Sequence, residues 1–128
     1  MSKKIVWALD PYMDGSTAYK ALLPLLDFWA ESEKSQIQPL YVLSPSAMNW
    51  TGDFSGPWFK KYEPLAKLAL NEVLKDLNSV HLLPGQVVTC KKSGLKPAVS
   101  ELLKKVKKLN SGLLVLQTRG RSGLERMA

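Results

Sequence analysis

At 128 residues the chain is long enough to bury one hydrophobic core, and 45% hydrophobic with 23% charged residues is an ordinary globular composition. No apolar run approaches the ~20 residues that span a bilayer. The single cysteine, Cys90, cannot form an internal disulfide, so the expected compartment is reducing, most simply a cytoplasm.

Lys4 to Leu9 (KIVWAL) reads as a buried strand; its apolar run is too short for a signal peptide and meets Asp10-Pro11. After the loop from Asp10 to Ser16, Asp14 or Ser16 is placed to cap a helix running to about Ser32. Ala18, Leu22, Leu25, Leu26 and Trp29 form its expected apolar face, and Pro24 is expected to kink or split it. Ile37 to Leu43 is the second strand, with Pro39 better suited to its beginning than its middle. Ser44 to Pro57 is a long polar loop in which Trp50 and Trp58 flank Gly52 and Gly56. A second helix covers roughly Trp58 to Leu77 with the stripe Tyr62, Leu65, Ala66, Ala69, Val73 and Leu77, and Pro64 would suit its first turn.

Gln86 to Lys91 is a third, β-branched strand, with Cys90 read as a buried small hydrophobe. A third helix follows with Pro97 near its start, Val99, Leu102, Leu103, Val106 and Leu109 on its apolar face, and four lysines outside. Asn110-Ser111-Gly112 ends that helix, and Leu113 to Leu116 is expected as a fully buried fourth strand. The strand empties into Gln117-Thr118-Arg119-Gly120-Arg121-Ser122-Gly123 and a helix start, Leu124-Glu125-Arg126-Met127. A glycine-bearing basic loop between strand and helix suits an anion, because backbone N–H groups can approach a phosphate and the helix start adds partial positive charge.

The β-α-β-α-β-α-β alternation predicts one α/β domain over residues 1–128: a Rossmann-like open parallel sheet with right-handed crossovers and helices on both faces. Ligands of such sheets bind outside the carboxyl ends of the strands, near the point where strand order reverses. Leu9-Asp10, Val42-Leu43 and Thr118 to Gly120 are expected to meet there.

KIVWALD at the start, LYVL closing the second strand, KKSG before a helix and the final LLVLQTRGRSGLERMA together resemble a universal stress protein domain over the full length. ATP-binding members carry Gly-x2-Gly-x9-Gly-[Ser/Thr] after the fourth strand. Gly120 matches the second glycine, Gln117 stands in place of the first, and the remainder would fall just past Ala128. The resemblance implies an adenine nucleotide alpha hydrolase-like sheet of order 3-2-1-4-5, its fifth strand lying beyond this chain as in a truncated or tandem protein.

It also implies adenosine held at Asp10 and Val42, and phosphates at Gly120, Arg121 and Ser122, with ATP and Mg²⁺ as the cofactor. The implied role is a non-enzymatic stress or regulatory module. The alternative is a member that binds no nucleotide and serves as a dimerising or scaffold partner, as Gln117 suggests. An apolar edge strand left open predicts a homodimer or an intramolecular partner domain.

The net charge of +7 is uneven: residues 1–90 hold eight basic and nine acidic residues, and residues 91–128 ten and two. A basic C-terminal third suits an anionic partner or is a solvated lysine face. Nucleic acid is disfavoured because no aromatics interleave the lysines, and no membrane partner is expected. No metal cluster or nucleophile triad is legible; His81 has no ligand-spaced companion and reads as a boundary residue.

Overall fold

The computed structural model describes residues 3–12, 16–44, 58–92 and 95–116. Along the chain run β1 (Lys4–Ala8), α1 (Ser16–Glu33), β2 (Gln36–Leu43), α2 (Trp58–Lys75), β3 (Gln86–Thr89), α3 (Leu95–Lys108) and β4 (Ser111–Leu116). The four strands form one parallel sheet in the order β3-β2-β1-β4. The order turns at β1: the chain moves outward through β2 and β3, then crosses back to place β4 on the other side.

Strand alternation divides the core into two layers. Ile5, Trp7 and Leu9 of the β1 segment join Ile37, Tyr41 and Leu43 of β2 beneath α1 and α2. Val6 and Leu40 face the opposite side, where Leu102 and Val106 of α3 and Leu109 just after it pack with Val42, Val88 and Leu114. Helices therefore cover both faces. Trp7 is wholly buried and meets Tyr19 edge-on, ring centroids 6.1 Å apart. At about 25 cal/mol per Å², rings of this size are among the largest single contributions to such a core.

The helix faces are rotated from the expected stripes. Tyr19, Leu23, Leu26 and Ala30 are the buried line of α1, and Leu25 points outward; Ala66, Leu70, Leu74 and Leu77 line the α2 segment, with Leu65 exposed. Both choices have helical spacing, so periodicity alone does not separate them. On α3, Leu102 is buried while Val99 and Leu103 are exposed.

Three prolines also depart from expectation. Pro24 lies within a continuous α1, and Pro64 is inside α2 rather than in its first turn; both are solvent-exposed, where a bend away from the core is tolerated. Pro39 is buried in mid-strand. Gln36 N donates to Lys3 O and Leu9 N donates to Leu40 O, so even-numbered β2 residues face β1; Ile37 N donates to His81 O on the other side. The missing N–H of Pro39 therefore points between the isolated Ile37–Leu82 bridge and the β3 ladder, which starts only at Leu40–Gln86. The buried Gln38 amide spans this gap, donating to Pro39 O at 2.9 Å and Pro84 O at 2.8 Å. Gln86 Nε2 completes the bridge by donating to Gln38 Oε1.

Nearby, Gly85 lets α2 approach the sheet: a Cβ there would lie 2.5 Å from Leu70 Cδ2. The connection before it is clamped to α1. Ser79 Oγ bonds Asp27 Oδ1, and His81 Nε2 lies 2.9 Å from Glu31 Oε2.

β4 is not the fully buried strand its apolar run predicts. It pairs with β1 alone among the described residues, and Leu113 and Leu116 are 39% and 46% exposed on opposite faces. An edge position explains this: hydrophobicity reports a strand's composition, not which neighbours arrive.

α1 ends in a Schellman turn, in which Ser35 N donates to Ala30 O and Lys34 takes φ 50°, a conformation that disfavours a Cβ. Lys34→Gly is expected to raise unfolding stability by about 0.5–1 kcal/mol, seen as a higher urea midpoint at unchanged slope; a lower midpoint refutes strain at this residue.

Candidate functional site

The candidate site is the crevice expected at the carboxyl ends of β1, β2 and β4. β1 and β4 lie side by side, with Ala8 paired to Leu116, so β4 ends beside the strand that leads into Leu9 and Asp10. Strand order reverses here, and in open parallel sheets that is the place where ligands bind.

Asp10-Pro11 shapes the floor. The parallel register would next bring the amide of residue 11 to the Val42 carbonyl. Pro11 has no N–H, so the β1–β2 ladder stops and β1 leaves the Val42 carbonyl to the crevice. Asp10 turns the chain: its Oδ1 accepts a 2.9 Å bond from Tyr12 N, and its backbone oxygen accepts the Tyr19 hydroxyl. The Asp10 side chain thus performs turn chemistry and sits at the expected strand end. A carboxylate oxygen can accept more than one bond, so turn and ligand roles are compatible.

Two residues that the sequence reading did not single out belong to this site. Tyr19 ties the start of α1 to the Asp10 turn. Its signal is the buried line Tyr19-Leu23-Leu26-Ala30, whose only hydroxyl needs a partner. Tyr12 is 46% exposed and stands edge-on to the buried Tyr41, with centroids 5.9 Å apart. Burial, and secondarily the Asp10 charge, push the Tyr12 phenol above its ordinary value of 10.0.

Asp10 and Val42 are therefore brought to neighbouring strand ends. Gly120, Arg121 and Ser122, with Gln117, lie outside the described residues, as do Trp50, Gly52 and Gly56. Cys90 is buried, and His81 is half-buried at the opposite end of the sheet. Among the described residues no group of three His, Cys, Asp or Glu could hold a metal ion, and no helix is long and apolar enough to cross a membrane. The chain matches no protein-family model and no curated protein.

Asp10→Asn removes one of the two causes acting on Tyr12. Its ring resonance, followed by NMR, is expected to titrate at lower pH than in the parent yet still above 10.0, because burial persists. The raised value favours the folded state below the unfolded tyrosine range, and that stability is lost as pH rises through the folded value. An unchanged titration would show that Asp10 does not act on the phenol.

Proposed function

We propose that this chain is a nucleotide-responsive regulatory module of the universal stress protein type, binding ATP or another adenine nucleotide rather than turning it over. The carrying observation is the order reversal at β1, with the Val42 carbonyl and Asp10 at adjacent strand ends and β4 ending beside them. The Val42 carbonyl can accept a bond from the exocyclic amine of a base, and the Asp10 carboxylate from a ribose hydroxyl. Gly120, Arg121 and Ser122, departing from the end of β4, would supply backbone amides and a guanidinium to the phosphates, with Mg²⁺ among them. Binding would act by favouring one conformation or assembly over another. The lone buried Cys90 agrees with a reducing, cytoplasmic setting.

Thermal melts of the chain with ATP and Mg²⁺ are expected to show saturable stabilisation, about 2.7 kcal/mol at ~100-fold excess over Kd. Gly120→Trp should abolish it, and Gln117→Gly should tighten binding by restoring close backbone approach. No shift at millimolar ATP in the parent, with gain in Gln117→Gly, would leave a fold that has lost its ligand.

The exposed edge of β4 favours a second reading, a scaffold whose Leu113 and Leu116 meet another chain or another part of the same polypeptide. Analytical sedimentation is expected to show concentration-dependent dimers that Leu116→Lys disperses. A monomer at all concentrations refutes self-association.

A further inference from the structure

The fold gathers at one end lysines that the linear sequence scatters. Lys3 and Lys4 begin β1, and Lys34 precedes β2. Lys104, Lys107 and Lys108 occupy the last turns of α3, two residues before β4 starts beside Lys4. All lie at the amino-terminal end of the parallel sheet, opposite the candidate nucleotide crevice. Among the described residues, Glu31 is engaged with His81 and Glu101 with Lys104, and Glu33 lies at this end as well.

On the α1 side of this end is a cavity of about 390 Å³ whose walls include Lys3, Lys4, Glu33, Trp29, Ile5 and the exposed Leu113. Lys3 and Lys4 thus border a largely apolar recess on the α1 face, and the α3 lysines stand across the sheet at the same end. A nucleic acid would answer the lysines with phosphates but leave the recess in water. An anionic lipid layer answers both, with charge at the rim and a partly apolar interface for the indole and leucine. The short apolar runs of the sequence are no obstacle, since surface docking needs no spanning segment.

We propose that the amino-terminal end of the sheet docks reversibly on an anionic phospholipid surface. Trp29 and Leu113 face the interfacial layer, and the lysines of α3 and β1 contact the acidic headgroups. This leaves the crevice at the other end of the sheet pointing into solution, and it does not depend on nucleotide binding.

Co-sedimentation of the chain with phosphatidylcholine vesicles containing about one-third phosphatidylserine is expected to show binding that falls steeply with salt, with none to phosphatidylcholine alone. Replacing Lys104, Lys107 and Lys108 by alanine should weaken partitioning about 100-fold, about fivefold per lysine. Leu113→Ser should weaken it about threefold. Lys60→Ala with Lys61→Ala, at the start of α2 near the carboxyl ends of the strands, should leave it unchanged. Circular dichroism confirms that each variant folds; all the substituted lysines are exposed. Equal binding to neutral vesicles, equal loss in the α2 pair, or no effect of Leu113→Ser overturns the proposal. So does displacement from vesicles by a random-sequence DNA duplex at matched phosphate, which would reassign the face to nucleic acid.

Discussion

Everything in this fold depends on β1 being hydrogen-bonded along both edges. β2 lies on one side and β4 on the other, both parallel to it. Parallel neighbours cannot be joined by tight turns, so each pairing requires a helical crossover. The crossovers from β1 through β3 run one way and the return to β4 runs the other, which places α1 and α2 on one face and α3 on the opposite face. The reversal creates the crevice as a by-product of burying Trp7, Ile5 and Val6. The Asp10-Pro11 step then ends the β1–β2 ladder where a ligand would need a carbonyl. Fold and candidate site thus share one cause.

The two ends of the sheet differ because helices run antiparallel to the strands they connect. Glycine-bearing and acidic turn residues follow strands, whereas the lysine-rich last turns of α3 precede one. Positive charge at a helix C-terminus is favoured by the peptide dipoles. The same preference that stabilises α3 therefore concentrates cations at the end of the domain away from the crevice. A chemical division between the ends follows from ordinary helix electrostatics.

Much of this was legible in the sequence. The alternation of KIVWAL, IQPLYVL, QVVT and LLVL with helical stripes carries the architecture, because strand composition and helix period are local properties. The exposure of Leu113 and Leu116 could be read from the strand order that the resemblance implies but not from the apolar run itself, because an edge strand and a central one can have the same letters. The choice between Leu25 and Leu23 as the inward residue of α1 was not legible, since both satisfy a 3.6-residue period. Pro39 misleads in a different way. Its position is tolerable only because alternate β2 amides face a gap that Gln38 bridges from 46 residues away, a relation no window of sequence contains. At the site, Asp10 and Val42 were legible from strand ends, but Tyr12 and Tyr19 gain their roles only when the Asp10 turn is formed.

Ser111 Oγ donates to Lys4 O across a separation of 107 positions. Emergence from a ribosome at ~5–20 residues per second would keep the second edge of β1 without its native partner for roughly 5–20 s. Through that interval a segment reading Ile-Val-Trp-Ala-Leu offers a bare strand edge to anything nearby. Until β4 arrives, that edge is the part of the nascent sheet most open to pairing with the wrong strand.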